Sequence, residues 1–166
     1  MWKRALLGIA LLLLLVVAGL ALHVATAGGD TVFSWKRPDN LGVKDGRLAP
    51  PKTTPNCVSS QADPADAQHY IAPIPFKGDT PAAMAAVSKA VESMRGSSVI
   101  RHEGSYLYAE YRSQLMRFVD DVEFFFDDKA GIIHVRSASR LGRRDMGVNR
   151  ARVESLRARI EGKPGA

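Results

Sequence analysis

The stretch that decides the fold is Phe118-Val119-Asp120-Asp121-Val122-Glu123-Phe124-Phe125-Phe126, then Asp127-Asp128-Lys129-Ala130-Gly131, then Ile132-Ile133-His134-Val135-Arg136-Ser137-Ala138. Two β-like runs flank a five-residue loop with glycine late in the turn, which reads as a hairpin. Two more β-like runs precede it, Ser98–Glu103 and Tyr106–Ser113, joined by Gly104-Ser105. Connections this short make neighbouring strands antiparallel. Further upstream, Asp79-Thr80-Pro81 pairs a capping side chain with a first-turn proline, so a helix starts there. It runs to about Met94, with Met84, Val87, Val91 and Met94 on one face, and Gly96 stops it. A short strand is expected at Tyr70–Ala72, punctuated by Pro73 and Pro75. Downstream, a helix capped by Asn149 spans Arg150 to about Ile160. Its apolar stripe is Val153, Leu156 and Ile160, with Arg150, Arg152, Arg157 and Arg159 outside. The expected fold class is α+β: one mainly antiparallel sheet of four to five strands, two covering helices, and a membrane helix before them.

Charged residues interrupt these strands with a definite parity. Alternation places Glu110 and Arg112 on one face of their strand, and Asp121 and Glu123 together on one face of the next. Arg136 lies on the partner strand, followed by Ser137, Ser139 and Arg140. Burying an unpaired ion costs several kcal/mol, so such charges need partners. One reading is a structural ion network of Glu110, Arg112, Asp121, Glu123 and Arg136 that fixes strand register. The other is a polar cleft in which Arg136 and Arg140 hold an anionic group while Asp121 or Glu123 does acid/base work.

The N-terminus carries address information. Met1-Trp2-Lys3-Arg4 precedes an apolar run from Ala5 to Leu22, long enough at about 1.5 Å per residue to cross a hydrocarbon core. Ala25-Thr26-Ala27 also supplies a small-x-small pattern, so a cleavable signal leaving Gly28 first competes with an uncleaved anchor. Lys3 and Arg4 hold the N-terminus in the cytoplasm in either case, so the rest is exported. The division expected is 1–27 as signal anchor or signal peptide, 28–54 as extended connector and 55–162 as globular domain. Phe33 and Trp35 in the connector suit either the membrane interface or docking on the domain.

Composition narrows the function classes. The chain has 166 residues, 23 Lys+Arg against 17 Asp+Glu, and one cysteine. A single Cys excludes an internal disulfide framework and any multi-Cys metal site. There is no phosphate-cradling glycine loop, no Cys-x-x-Cys, no His-Glu-x-x-His, no Gly-x-Ser-x-Gly and no Asp-x-Asp-x-Asp-Gly calcium loop. Charge is uneven: residues 1–56 hold 7 basic and 3 acidic side chains, 57–135 hold 7 and 11, and 136–166 hold 9 and 3. A basic C-terminal element on an exported chain reads either as a solvated Arg-rich helix face or as a surface for anionic lipid or an acidic partner, rather than for nucleic acid.

Pro55-Asn56-Cys57-Val58-Ser59-Ser60-Gln61, Phe118–Phe124 and above all Ile133-His134-Val135-Arg136-Ser137-Ala138-Ser139-Arg140-Leu141-Gly142 carry a resemblance. It continues through Asp145, Gly147, Asn149-Arg150 and Arg152-Val153-Glu154, and upstream through Leu41-Gly42-Val43 and Asp45–Pro50. Over about residues 38–160 the chain resembles a bacterial and plastid family known as domain of unknown function 1499. The resemblance implies an envelope address and a set of recurring polar positions, with no established activity. Relatives often carry a second Cys where this chain has Pro51, so a Cys pair is dispensable here.

Two further constellations are candidates. Cys57 is either a buried small residue or a redox-active or nucleophilic thiol, and His134 is the imidazole that would activate it. The turn Ser137–Arg150 combines hydroxyls, glycines and arginines ahead of a helix N-terminus, a setting for an anion. Arg136, Ser137, Ser139, Arg140, Asn149 and Arg150 are therefore the candidate ligand-binding residues, although an Arg140–Asp145 pair inside the loop would account for much of the pattern. The expectation is a membrane-associated domain on the extracytoplasmic side, or periplasmic if cleaved, binding an anionic ligand, lipid or envelope protein without catalysis. The rival is a Cys- or carboxylate-dependent hydrolase or transferase on an envelope substrate. No cofactor or metal is called for.

Overall fold

The computed structural model describes residues 36–163, together with Trp2, Gly8, Ile9 and residues 11–19 of the apolar run. The chain divides into two compact units, Met1–Ser34 and Trp35–Ala166. In the first, residues 11–19 are helical and exposed. No helix among the described residues is long and apolar enough to cross a membrane. The rest of the Ala5–Leu22 run, the Ala25–Ala27 cleavage pattern, Phe33 and Trp35 lie outside the described residues.

The second unit is α+β. Its strands are β1 (Cys57–Ser59), β2 (Ile74–Pro75), β3 (Ser97–Glu103), β4 (Tyr106–Arg112), β5 (Val119–Asp127) and β6 (Ile132–Ser139). Its helices are α1 (Thr80–Glu92) and α2 (Val148–Ile160). All six strands form one antiparallel sheet in the order β1-β6-β5-β4-β3, with β2 also on β6. The sheet is thus larger than the four to five strands expected. The additions are β1 and β2, two- and three-residue pieces too short to show a period, which share the free edge of β6. Tyr70, expected in a strand, makes only an isolated parallel bridge to Ser59. Pro75, lacking an N–H, fits only such an edge.

One sheet face packs under the helices. Leu107, Ala109, Val122, Phe124, Phe126, Ile133 and Val135 meet Ala83, Met84, Val87, Ala90 and Val91 of α1 and Val153 and Leu156 of α2. The Asp79 carboxylate accepts from the Ala82 amide at 2.8 Å, capping α1 as its sequence dictates. Helix α2 starts earlier than expected: Gly147, in the left-handed region, is its cap residue, and Asn149 lies buried within the first turn. Asp145 takes the capping role, accepting from the amides of Gly147 (3.0 Å) and Asn149 (2.9 Å).

The opposite face is covered as well. Residues 36–54, part of the expected extended connector, belong to this unit and run across that face as a strap. The Gly42 amide donates to Glu123 Oε1 (2.8 Å), the Leu48 amide to Gln61 Oε1 (2.8 Å) and Lys52 Nζ to the Ser139 carbonyl (2.5 Å). Leu48 packs with Tyr106 and Tyr108. The strap explains why residues 106–111 of β4 are buried on both faces.

Gly96 closes the turn from α1 into β3. Its φ is +81°, and a Cβ there would sit 2.4 Å from the Arg112 carbonyl oxygen. Gly96→Ala is therefore expected to destabilise the domain by at least about 1–3 kcal/mol from backbone strain alone, read as a lower urea midpoint.

Candidate functional site: the polar face beneath the strap

Directly opposed residues in an antiparallel sheet share a face, so the register alone assembles the site. Glu110 faces Asp121, Tyr108 faces Glu123, and Glu123 faces Arg136. All five are buried. Arg140 follows β6 and turns its side chain back onto the same face. Its Nη2 lies 2.5 Å from Glu110 Oε1 and 2.7 Å from Asp121 Oδ1, and its Nε is 3.0 Å from Asp121 Oδ2. Arg136 Nη1 donates to Glu123 Oε2 at 3.0 Å. From the strap, Arg37 Nη2 reaches Glu110 Oε1 at 2.7 Å and its guanidinium lies over the Tyr108 ring. Arg112 adds a looser contact to Glu110 at 3.3 Å.

Two tyrosines complete the network. The Tyr106 hydroxyl donates to Glu123 Oε1 (2.9 Å), and the Tyr108 hydroxyl lies 2.6 Å from Asp121 Oδ1 and 3.0 Å from Glu110 Oε1. Burial together with these carboxylates pushes both phenols far above their ordinary range, so they act as neutral donors. Burial also opposes ionisation of Glu110, but hydrogen bonds from Arg37, Arg140 and Tyr108 outweigh it and hold its pKa down to about 2. Stability contributed by this carboxylate is then complete above its unfolded value of 4.5 and is lost as pH falls through about 2. Acid-unfolding curves should show the wild type weakening over that window, with Glu110→Gln weaker at neutral pH and less pH-dependent there.

Beside this network lies a cavity of about 220 Å³ between strap and sheet, lined among others by Pro38, Pro51, Lys52, Asp121 and Arg136. Arg136 is 3% exposed, and its Nε is a buried donor with no hydrogen-bond partner among the described residues. Buried polar groups are almost always paired, so such a donor is exceptional. Lys52 is half-buried at the same cavity and forms no ion pair among the described residues. Lys52 was absent from the sequence-derived candidates. Its only signal was a lone cation in Pro50-Pro51-Lys52, five residues before Cys57.

The remaining candidates separate. Cys57 opposes Ala138, whereas His134 opposes Phe125 four residues farther along β6, so the two do not meet. Cys57 is 1% exposed and burial pushes its thiol up, which opposes thiolate chemistry. His134 Nδ1 is 3.3 Å from Ser60 Oγ, its ring stacks on Phe125, and burial lowers its pKa. Ser137, Ser139 and Asn149 lie on the helix-covered face and are spent internally. Asn149 Oδ1 accepts from Ser137 Oγ (2.5 Å) and Arg152 Nη1 (2.7 Å), while its Nδ2 donates to Ser139 Oγ, Asp145 Oδ2 and the Asn56 carbonyl. The expected single anion site in the Arg-rich turn is therefore split across both sheet faces.

The arginines of α2 also depart from expectation. Arg152 turns inward, 2.5 Å from Asp120 Oδ2 and over the Tyr111 ring. Arg157 donates to the carbonyls of Ala72 (2.6 Å) and Pro73 (2.8 Å), fastening the segment before β2. Arg150 donates to the carbonyls of Ala67 and Gln68. Asp145, tied to the α2 amides, does not pair with Arg140. No group of three or more His, Cys, Asp or Glu side chains among the described residues is placed to hold a metal ion.

No curated protein matches the chain. The family model described as a protein of unknown function, DUF1499, matches residues 47–160, which spans β1 to the end of α2 and most of the polar face. The chain belongs to that family.

Proposed function

We propose that this is an exported domain, associated with the membrane through its apolar N-terminal run, that binds a small anionic group without catalysis in the cavity beneath the strap. The observation that carries the reading is the buried Arg136 Nε, without a partner among the described residues, at a cavity that Lys52 also lines. Within the network, Glu110, Asp121 and Glu123 meet four cations, Arg37, Arg112, Arg136 and Arg140, so the Lys52 charge is surplus among the described residues. A carboxylate or phosphoryl oxygen would take the free donor and offset that surplus, with charge-assisted hydrogen bonds on a prearranged frame. The absence of a thiol–imidazole pairing between Cys57 and His134 weighs against the nucleophilic alternative. Export rests on Lys3-Arg4 ahead of the apolar run.

Calorimetric titration of the protein with inorganic phosphate and with acetate, at matched ionic strength, tests the binding reading. Saturable heat in the wild type that is lost in Lys52→Met, a substitution that keeps the apolar stem, is the expected outcome. A non-saturating response shared by both proteins, as general salt effects give, overturns it. A reporter active only in the cytoplasm, fused after Ala166, should be silent; activity would overturn the export reading.

A further inference from the structure

We infer that the β4–β5 and β6–α2 loops together form a surface that docks on a bilayer of anionic phospholipid, independently of the cavity beneath the strap. The two loops lie at one end of the sheet and share a cavity of about 250 Å³, lined from one side by Ser113 and Phe118 and from the other by Leu141, Arg144 and Val148. Both present large apolar side chains to solvent at their tips. Leu115 is 89% exposed and Met146 is 100% exposed, with Met116, Phe118 and Val148 also exposed. Isolated exposed apolar residues are ordinary, but four on two adjoining loops, with Val148 at the head of α2, form a patch of the kind that marks an interaction surface.

The loops are held in the shapes that project these tips. Ser113 closes the first: its amide donates to the Phe118 carbonyl (2.9 Å), and its hydroxyl accepts from the Phe118 amide (2.9 Å). Arg117, inside that loop, adopts φ 57°. In the second, the Asp145 cap fixes the loop at the head of α2, and Met146 adopts φ 53° with its side chain wholly in solvent. Left-handed backbone at a non-glycine residue is unfavourable.

Charge selects the partner. Arg117, Arg143 and Arg144 are exposed on the same two loops, and the acid among them, Asp145, is turned to the α2 amides. Leucine, methionine and phenylalanine entering the acyl boundary, with arginines at the level of the phosphates, is the chemistry by which a protein edge binds an anionic membrane surface.

The test uses the full chain reconstituted in lipid nanodiscs. Nitroxide labels are placed at Leu115→Cys, Met146→Cys and, on the β5–β6 hairpin at the other end of the strands, Lys129→Cys; buried Cys57 is left in place. Labels at 115 and 146 should be reached by oxygen rather than a water-soluble relaxant in discs containing phosphatidylglycerol. They should remain aqueous in phosphatidylcholine alone, with the 129 label aqueous in both. Combining either label with Arg117→Gln, Arg143→Gln and Arg144→Gln should return it to water. Labels that stay aqueous in anionic discs overturn the inference, as does equal immersion in neutral discs. Concentration-dependent shielding without lipid also overturns it, by identifying a second copy of the chain as the occupant.

Discussion

Arg140→Ala is expected to lower stability by about 3–5 kcal/mol, the usual consequence of removing one member of a buried charge cluster. The Arg140 side chain is 6% exposed and bridges Glu110 and Asp121, which are themselves 4% and 2% exposed. Without it, Glu110 keeps the partly exposed Arg37 and Arg112, and the two carboxylates share the single Tyr108 hydroxyl. A domain of this size holds only about 5–15 kcal/mol in total, so the variant should be unfolded or close to it at 37 °C. Exposed Arg143 is the control, and Arg143→Ala should shift stability by less than about 0.5 kcal/mol. Urea unfolding followed by circular dichroism separates the two; equal midpoints would show that the network contributes little.

Glu123→Gln should have an effect of similar size, about 3–5 kcal/mol, because it keeps the side chain's shape but leaves the Arg136 charge without a counter-ion. Glu123 is fully buried and serves three groups at once: Arg136, the Tyr106 hydroxyl and the Gly42 amide of the strap. Its loss should loosen the strap selectively. Hydrogen exchange at Gly42 should therefore accelerate more than exchange within β5. Uniform acceleration of both would mean the strap has no local dependence on Glu123.

The residues that sequence made legible are those governed by period. Alternation in Val119–Asp127 separates Val122, Phe124 and Phe126 from Asp121 and Glu123, and the observed faces follow it. The strap was illegible because its ties are single and long-range, the Gly42 and Leu48 amides, Arg37 on Glu110 and Lys52 on the Ser139 carbonyl, and such contacts leave no repeating pattern. Arg150 and Arg152 look alike in sequence. Only docking of α2 shows that Arg152, one turn beyond Asn149, reaches Asp120. Cys57 and His134 do share a sheet face, as a nucleophile and base would require. Their separation depends on the pairing of β1 with β6, which a three-residue strand does not announce.

The most direct measurement of the central claim is the Arg136 Nε–H resonance itself, assigned through its side-chain carbons in a ¹⁵N-labelled protein. Its burial predicts slow exchange with water, and its lack of a partner among the described residues predicts a signal that responds when an acceptor arrives. Titration with inorganic phosphate should move this resonance saturably, leave the Arg140 Nε–H at its Asp121 partner unmoved, and give no shift in Lys52→Met. An Arg136 signal indifferent to phosphate up to saturating salt, or one that moves equally in Lys52→Met, would contradict an anion site beneath the strap.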